Sequence, residues 1–388
     1  MTSTLDRVLA LADFFEANAH RAEAEGKVPD DVAAAIKSTG VVRMLQPLEY
    51  GGEEAHPVDF LKAVYNIGIH DGSAGWIAGV VAVHAHELAQ GDRRLQDELW
   101  KEDNDTWIAS PYAPMGRAKP VEGGYILNGR WPFSSGTDHC QWVTIGGLIV
   151  GEDGKPVDDH SHHFQLPRSD YVIDHESWNV MGLRGTGSKD LIVTDAFVPD
   201  YRVIDTDPVT DGTAAVEGRE SPLYRMPRNM VFSGTITAAT LALAKSVVDA
   251  YVSWTSERSN RFGKASADHY QLGALGAASA DIDASLLVLF NDLEWAWDEV
   301  AAGRMISYSD RARIRRNQVR ASTRAVNAAD SVFRISGGSQ LQSALPMQRR
   351  WRDAQAAMHH VQNLEGPIYY AYGMDLFGHP LEKSPVKI

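Results

Sequence analysis

The spacing of apolar residues changes twice along the chain, and this change constrains the fold more than any other feature. Before about residue 105 and again after about residue 222, apolar residues recur at three- and four-residue spacings, which is typical of helices. Between these regions, short apolar runs such as WIAS, GYILNG and WVTIGGLIV alternate with Gly, Pro and Asp, which is typical of antiparallel strands. We therefore predict an α+β fold with an N-terminal helical domain (1–105), a central antiparallel β domain (106–222) and a C-terminal helical domain (223–388).

Capping and helix-breaking residues locate several elements. Pro29 and the two aspartates after it start a helix that Gly40 ends. Residues 59–89 are helical, and residues 346–362 begin the last major helix, whereas the turn-rich stretch 205–222 predicts a mobile surface loop. Glycines that allow close helix packing lie at Gly68, Gly72, Gly75 and Gly79. Arginines in the helix over 309–336 predict a solvated or subunit-facing surface: Arg311, Arg313, Arg315, Arg316, Arg320 and Arg324.

Charge and composition exclude several classes of partner. The formal net charge of −14 argues against nonspecific nucleic-acid binding and against binding to an anionic membrane surface. No apolar run approaches the roughly 20 residues that span a bilayer, so no membrane segment is predicted. The single cysteine excludes an internal disulfide, and the N-terminus lacks a signal-peptide pattern, so we expect a cytoplasmic protein.

Residues 129–142, GRWPFSSGTDHCQW, concentrate chemically useful side chains after a strand-like run and an Asn128-Gly129 turn signal. Ser134 and Ser135 lie between Phe133 and a glycine, so hydroxyl groups adjoin backbone that a flat ligand can approach. From this pattern alone, a hairpin turn with surface serines is the ordinary interpretation, because turns favour these residues.

Histidines cluster at two other places. His160, His162 and His163 form a short group in an acidic segment, but a metal site needs a converging geometry that one flexible loop rarely supplies. His84 and His86 lie near the end of the glycine-rich helical segment, where histidines are more often structural than catalytic. No Cys/His spacing resembles a structural zinc site, and no metal is predicted.

Eight segments, in order along nearly the whole chain, are similar to those of a known family. They are LQPLEYGG, GSAGWIAGVVAVH, SPYAPMG, NGRWPFSSGTDHCQW, VMGLRGTGSKDLIVTDAFVP, YRMP, AASADIDA and RRWRDAQAAMHH. The chain resembles the acyl-CoA dehydrogenase fold and, within it, the oxygenase component of two-component, flavin-dependent aromatic monooxygenases. This resemblance implies a homotetramer that takes reduced FMN or FAD from a separate reductase, binds dioxygen and hydroxylates a phenolic or indolic ring through C4a-hydroperoxyflavin.

The resemblance also assigns residues to the flavin. In acyl-CoA dehydrogenases a Thr six residues after a strand-turn Gly bonds flavin N5, and the sixth residue after Gly129 is Ser135. Phe133 takes the place of a Trp that lies against the flavin ring, and Ser134 adjoins it. In the monooxygenases the corresponding Ser supports the flavin through its N5–H, which a hydroxyl can do because it donates or accepts. The other cofactor-binding candidates are Trp76, Ser110, Tyr112, Arg258 and Arg261.

The resemblance also assigns two arginines to the flavin phosphate and bears on two histidines near the substrate. Arg258 and Arg261 lie where the family places an Arg on that phosphate, often across a subunit interface, and Arg261 is preferred. His84 matches a His at the substrate side of the flavin. His86 departs from the family, where an aromatic residue is common, so a different aromatic substrate is expected.

The C-terminal motif separates an oxygenase from a dehydrogenase. Many acyl-CoA dehydrogenases carry a carboxylate base eight residues after the Asp of an Arg-Asp pair; here that Asp is Asp353 and the eighth residue is Val361. The monooxygenases have a His seven residues after the Asp, which is His360. Its imidazole can take a phenol's proton or exchange a proton with the peroxide. Because consecutive helix positions point about 100° apart, we expect His360 rather than His359 to face the pocket.

Two other activities of the same fold stay open. An acyl-CoA dehydrogenase-type flavoprotein would act on a thioester and hold oxidised FAD, but it needs a base that Val361 cannot be. An N- or S-oxygenase differs from an aromatic hydroxylase only in the atom oxidised. The glycine-rich GLRGTGS does not follow a strand and open a helix, so we interpret it as a β-domain turn and not as a nicotinamide-binding motif. That interpretation agrees with a separate reductase.

Overall fold

The structure, a computed structural model, describes residues 2–214, 219–256, 258–260, 263–379 and 388. Its N-terminal part is helical, as the apolar periodicity predicts. The helices are α1 (Thr4–Leu9), α2 (Ala12–Glu25), α3 (Asp30–Thr39), α4 (Pro57–His70), α5 (Gly72–Ala82), α6 (His84–Leu88) and α7 (Arg93–Trp100). The predicted stop at Gly40 is confirmed, because this residue ends α3 in a left-handed conformation with a φ of 83°.

A single large sheet follows. Its strands are β1 (Ile108–Ala109), β2 (Gly116–Val121), β3 (Gly124–Ser134), β4 (Trp142–Val150), β5 (Pro156–Pro167), β6 (Val172–Asp174), β7 (Lys189–Pro199) and β8 (Val203–Asp205). They lie in the order β6-β7-β3-β2-β4-β5-β8, with β1 beside β4. Most neighbouring strands are antiparallel, as predicted, but β1 and β2 each pair with β4 in parallel. The sheet is therefore mixed.

The rest of the chain is again mostly helical. It comprises α8 (Thr206–Asp211), α9 (Arg228–Ser256), the short strands β9 (Ser259–Asn260) and β10 (Gly263–Lys264), α10 (His269–Ala301), α11 (Tyr308–Ile335), α12 (Pro346–Ala357) and α13 (Glu365–Leu376). α9 is almost entirely buried and packs against α4, α5, α10, α11 and α12. This helix therefore joins the N-terminal and C-terminal helices into one core.

Close helix packing at the glycine-rich segment is confirmed. A Cβ on Gly75 would lie 2.3 Å from the Cα of Gly68, and a Cβ on Gly68 would lie 2.8 Å from the Cβ of Ala242. Real Cβ atoms do not approach backbone this closely, so these positions accept only glycine without a rearrangement. The result is that α4, α5 and α9 cross at short range and hold α5 firmly in place.

Three sequence-based predictions are wrong in detail. Asn128 and Gly129 do not form a turn; they lie at a bulge inside β3, where the register with β7 shifts. The segment over 205–222 is not simply a loop, because the Asp205 side chain caps α8. The last predicted helix ends at Ala357, and a 3-10 turn over Val361–Asn363 separates it from α13.

The prediction that no segment is long and apolar enough to span a membrane is also wrong. By length and composition alone, two helices pass that test: α9, which is nearly all buried inside the protein, and α10, most of which is exposed. One or two such helices are weak evidence for a membrane, since a core helix of an ordinary globular protein has the same properties. α10 nevertheless presents an apolar face that needs a physical explanation.

Candidate active site

Three residues that the sequence singled out meet around the ring of Phe232 on α9, and a fourth packs against one of them. The ring centroid of Phe232 lies 5.2 Å from that of Tyr112, 6.2 Å from that of His84 and 6.3 Å from that of His360. Trp76 on α5 lies edge-on to His360, with their centroids 5.5 Å apart. Side chains from both helical parts of the chain and from the β region thus form one aromatic cluster.

Local packing explains how Tyr112 reaches this cluster. Tyr112 lies between β1 and β2, and its backbone runs directly over β4. A Cβ on Gly146 would come within 2.1 Å of the Tyr112 carbonyl oxygen, so this glycine allows the close approach. Gly146 also receives the backbone of Pro111, because its N–H donates to the Pro111 carbonyl at 3.3 Å. The sheet therefore holds Tyr112 against α6 and α9.

The serine pair divides into one buried and one accessible hydroxyl. Ser134 is fully buried and its Oγ has no partner among the described residues. Ser135 is partly exposed, and its Oγ lies 2.7 Å from the Oγ of Ser188. A buried hydroxyl does not reach a ligand at the surface, so the structure favours Ser135 over Ser134 as the flavin contact. The cofactor role of both remains a prediction.

The hydroxyl groups of Ser135, Ser188 and Thr186 form a chain in which each proton has one position. Thr186 donates its only hydroxyl proton to the Leu183 carbonyl at 2.8 Å, so it accepts from Ser188, whose Oγ lies 2.6 Å away. Ser188 has then used its own proton and accepts from Ser135. Ser135 consequently presents lone pairs, rather than a proton, to any ligand beside it. An acceptor is the partner that an N5–H group requires.

Phe133 adjoins Ser135 as an exposed aromatic ring. It is 68% exposed and has a left-handed backbone with a φ of 64°, which is uncommon for a bulky residue. Its ring lies edge-on to Trp178 with centroids 6.2 Å apart. Gly136 then packs on α5, where a Cβ would lie 3.1 Å from Ile77. An exposed ring beside an accepting hydroxyl fits the flat, hydrogen-bonding flavin that the resemblance implies.

His360, rather than His359, faces the cluster, but not for the reason the sequence suggested. Both residues follow the end of α12, so the helical 100° argument does not apply. His359 is exposed, whereas His360 is half-buried and precedes the 3-10 turn. The Gln362 backbone N–H donates to Nδ1 of His360 at 3.2 Å. A neutral imidazole that accepts at Nδ1 carries its proton on Nε2, so His360 offers a donor to the site.

The buried guanidinium of Arg315 holds the turn that follows this histidine. Arg315 on α11 donates to the side chain of Gln318 and to the carbonyl of Gln362, at 2.7 and 2.9 Å. Burial, and then the nearby Arg315 charge, lower the pKa of His360 to about 4, so its imidazole is neutral at neutral pH. The prediction that the arginine run is solvated or subunit-facing is therefore wrong for Arg315, which is only 2% exposed.

His84 belongs to a buried polar network that the sequence did not predict. Its Nδ1 lies 2.7 Å from the Tyr112 hydroxyl, which lies 2.9 Å from Oε2 of Glu87. The other Glu87 oxygen bonds Nδ1 of His163, and Arg228 lies 3.8 Å from Glu87. Burial lowers the pKa of His84 to about 3, and its Nε2 is buried without a partner among the described residues.

The neighbouring histidine is structural. His86 donates from Nε2 to the Leu223 carbonyl at 2.9 Å, and its ring stacks on Tyr224. Burial lowers the pKa of His86 to about 4. These contacts occupy the ring, so the departure from the family at this position alters packing beside the site instead of adding a second reactive imidazole.

The remaining predicted cofactor residues are not brought to Ser135 by any described contact. Ser110 is half-buried just before Tyr112. Arg258 donates to the Ser336 carbonyl at 3.3 Å and lies over the Trp254 ring. Arg261 lies outside the described residues. The flavin roles of these three residues therefore remain predictions.

The three clustered histidines do not converge on one point. They lie on β5, where His163 turns into the core and His160 lies between the carboxylates of Asp205 and Asp207, at 3.0 and 3.2 Å. Within the described ranges this is the one group close enough to hold a cation, and it is exposed. Exposed acidic groups commonly occur without a metal, and we assign none here.

Several residues of the site were not predicted from the sequence. Glu87 follows His84 by three positions, a spacing that places both on one helical face. His163 was visible only as a member of the histidine group, and Ser188 only as part of a glycine-rich turn. Nothing in the sequence pairs these residues, because the Glu87–His163 contact spans 76 positions.

Comparison with known proteins places this geometry in context. Residues 234–364 match the family model described as acyl-CoA dehydrogenase, C-terminal domain. The chain is 44% identical to a pigment production hydroxylase of Rhodococcus erythropolis, with 96% of each protein covered. It is 38% identical to the flavin-dependent monooxygenase oxygenase subunit HsaA of Rhodococcus jostii, covering 98% of this chain and 100% of that protein.

A solved structure has nearly the same fold. The crystal structure of 3-HSA hydroxylase from Rhodococcus sp. RHA1 superposes with a TM-score of 0.93 at 38% identity, covering 98% of this chain and 97% of that one. Similarity over the full length means that the helical and β regions of this chain share one arrangement with that enzyme. The predicted acyl-CoA dehydrogenase-like fold is thereby confirmed.

Proposed function

This chain belongs to the oxygenase components of the flavin-dependent aromatic monooxygenases, and we propose that it hydroxylates a phenolic or indolic ring. It uses dioxygen and reduced FMN or FAD, which a separate reductase supplies. The observation that supports this proposal is the meeting of His84 and His360, from opposite ends of the chain, on the same ring-lined surface at Phe232. Aromatic walls with two differently bonded imidazoles suit a flat substrate that carries one polar group.

Bound reduced flavin supplies two electrons, with which one oxygen atom of dioxygen replaces a ring hydrogen while the other leaves as water. The protein's own residues hold and orient the reactants. Ser135 offers an accepting hydroxyl to the flavin ring, and Phe133 offers an exposed aromatic surface beside it. Trp76 and Phe232 form apolar walls that exclude water from the reacting ring.

We propose different roles for His84 and His360. His84 contacts the substrate's polar group, since its buried Nε2 has no partner among the described residues. His360 donates a hydrogen bond from Nε2, because its Nδ1 is occupied by the Gln362 backbone N–H. Of the two roles that the sequence left open for His360, this arrangement favours a hydrogen bond to the reacting oxygen over uptake of a phenol's proton, because Nε2 already carries a proton.

The dehydrogenase alternative finds no base in the expected place. Val361 is 67% exposed and carries no titratable group. Glu365, one helical turn further on, accepts from Thr323 at 2.8 Å and from Tyr369 at 3.2 Å, and these contacts hold its carboxylate on α11 and α13. Glu87 is buried near the cluster, but His163, Tyr112 and Arg228 already surround it. We therefore favour oxygenation over abstraction of a substrate proton.

We also propose a cytoplasmic homotetramer. α10 exposes large apolar side chains, among them Leu272, Leu287 and Val288. An apolar face of this kind is covered by a partner or by lipid. The net charge of −14 disfavours an anionic membrane, so other copies of this chain are the proposed partner. We propose that Arg258, which follows α9, serves a flavin phosphate across such an interface; Arg261, for which the resemblance implies the same role, lies outside the described residues.

The proposed function is tested by single-turnover hydroxylation. The protein is mixed anaerobically with reduced FMN or FAD and with a panel of phenols and indoles, and isotopically labelled dioxygen is then added. Mass spectrometry should find products that have gained one labelled oxygen atom on a ring carbon. Oxidised flavin in place of reduced flavin is the control and should give no product.

Two results would contradict the proposal. The first is the absence of an oxygenated phenol or indole across the panel, with the reduced flavin simply reoxidised. The second is dehydrogenation of an acyl thioester by protein carrying oxidised FAD. Oxygen found on a nitrogen or sulfur atom instead of a ring carbon would identify the N- or S-oxygenase alternative.

A further inference from the structure

The His84 imidazole has one engaged nitrogen and one free nitrogen. Nδ1 lies 2.7 Å from the Tyr112 hydroxyl, whereas Nε2 is buried without a partner among the described residues. Buried polar atoms in native proteins are almost always satisfied, so an orphaned one indicates a ligand or a water. We propose that Nε2 of His84 accepts a hydrogen bond from the substrate, and that Tyr112 and Glu87 fix this polarity. The site then selects rings that carry a neutral O–H or N–H donor.

This inference rests on the proposed function and extends it to the chemical class of the substrate. The charge of Glu87 controls the hydrogen bonds of Tyr112 and His84. Burial alone would raise the pKa of this carboxyl group, but His163, Arg228 and the Tyr112 hydroxyl outweigh burial and lower it to about 2. Glu87 is therefore an ionised carboxylate, and such a group only accepts hydrogen bonds.

The ionised Glu87 fixes where the protons of Tyr112 and His84 lie. Because Glu87 only accepts, the Tyr112 hydroxyl must donate its single proton to Oε2 of Glu87, 2.9 Å away. The Tyr112 oxygen can then only accept from His84, so the His84 proton lies on Nδ1. The opposite order would place the Tyr112 oxygen and a Glu87 oxygen in contact with no proton between them.

The free Nε2 nitrogen of His84 is a hydrogen-bond acceptor. With its proton on Nδ1, neutral His84 exposes a lone pair on Nε2. The charged and titratable groups around His84 are Glu87, His163, Arg228 and the Tyr112 hydroxyl, and Glu87 contacts the other three. A phenol O–H or an indole N–H satisfies the lone pair. A phenolate or an aryl ether places a second lone pair against it.

Whether Nε2 of His84 accepts a hydrogen bond can be measured with a bound probe, without turnover. The probe is a trifluorophenol with a solution pKa near neutrality, and its fluorine NMR shift reports whether it is ionised. It is titrated across pH into the protein saturated with reduced FMN under nitrogen. Wild-type protein should prefer the neutral phenol about tenfold, which raises the ionisation midpoint of the bound probe by about one pH unit.

Two variants change the hydrogen-bond relay that runs from Glu87 through Tyr112 to His84. Tyr112→Phe removes this relay, so the tenfold preference for the neutral probe should be lost. In Glu87→Gln the amide oxygen stays on His163 and the amide N–H donates to Tyr112, which turns the Tyr112 proton towards His84 and reverses the polarity. The midpoint in Glu87→Gln should fall below that of Tyr112→Phe. Tyr224→Phe is the matched control, because this buried tyrosine bonds the Leu45 carbonyl outside the relay.

The outcomes separate this inference from the proposed function. A probe that binds wild-type protein as the phenolate overturns the inference and leaves an aromatic-binding site in place. A raised midpoint that is unchanged in both Tyr112→Phe and Glu87→Gln also overturns it, because burial alone then explains the neutral probe. A probe that does not bind wild-type protein at all contradicts the proposed function, and the inference fails with it.

Discussion

The Ser135 hydroxyl lies 2.7 Å from the Ser188 hydroxyl and gives up its proton to it, because Ser188 donates in turn to Thr186. The serine that we propose as the flavin contact is therefore held as an acceptor by a turn that lies 53 positions away in the chain. An acceptor suits reduced flavin, whose N5 carries a proton, better than oxidised flavin, whose N5 is itself an acceptor.

Ser188→Ala tests this relationship. The change frees the Ser135 proton, so preference for reduced over oxidised flavin should fall by about 1 kcal/mol, or roughly fivefold. The measurement is the ratio of the two dissociation constants, obtained anaerobically and in air. Ser134→Ala, at the buried neighbouring hydroxyl, should leave the ratio unchanged. Equal ratios in wild type and Ser188→Ala would refute the assigned proton order.

His360→Ala tests the hydrogen bond from Nε2. Loss of one positioned hydrogen-bond donor to developing charge typically costs about 100-fold or more in the chemical step. Hydroxylated product per reduced flavin should therefore drop strongly while flavin binding is retained, and the reduced flavin should be consumed without product. His359→Ala, at the exposed neighbour, is the control. An unchanged product yield in His360→Ala would remove His360 from the mechanism.

Product yield should also depend on pH in a predictable way. Because the pKa of His360 is lowered to about 4, its neutral Nε2–H form is present throughout the neutral range. The His360-dependent yield should be flat between about pH 6 and 8 and should change only on approach to pH 4. A midpoint near the ordinary histidine value would show that His360 is not held as described.

Acid stability should depend on His86. Burial lowers the pKa of His86 from 6.5 to about 4. Between these two pH values His86 is protonated in the unfolded chain and neutral in the folded chain. The contribution of His86 to stability is therefore fully present above pH 6.5 and is lost as the pH drops towards 4, by up to roughly 3 kcal/mol. His86→Gln should show a shallower loss in urea unfolding across pH. His359→Gln should match wild type, and a slope unaffected by His86→Gln would contradict this account.

The apolar face of α10 predicts the assembly. Leu287 is 69% exposed, and placing a charge there should weaken contact between copies. Light scattering should find a tetramer for wild type and smaller species for Leu287→Glu. Val172→Glu, at an exposed valine on β6, is the control and should remain tetrameric. A monomeric wild type, or equal masses for both variants, would exclude this interface.

Much of the fold could be predicted because its signals are local. The stop at Gly40 and the close packing at Gly75 follow from conformations and distances that only glycine accepts. The bulge at Asn128 could not be predicted in this way, since Asn-Gly marks a turn or a bulge according to the strand beside it. The end of α12 before His359 also depended on packing, because no helix-breaking residue marks it.

The sequence by itself determined the order of helical and β regions, the absence of a carboxylate at Val361, and the candidate positions Ser135, His84 and His360. These conclusions depend on residue identity, spacing and family resemblance, which the chain carries without folding. Only the tertiary structure decided what each group offers a ligand. Ser135 and His84 are acceptors and His360 is a donor because Ser188, Tyr112 and the Gln362 backbone take up their other hydrogen-bonding positions. A side chain that can donate or accept acquires one polarity only when its neighbours in space are fixed.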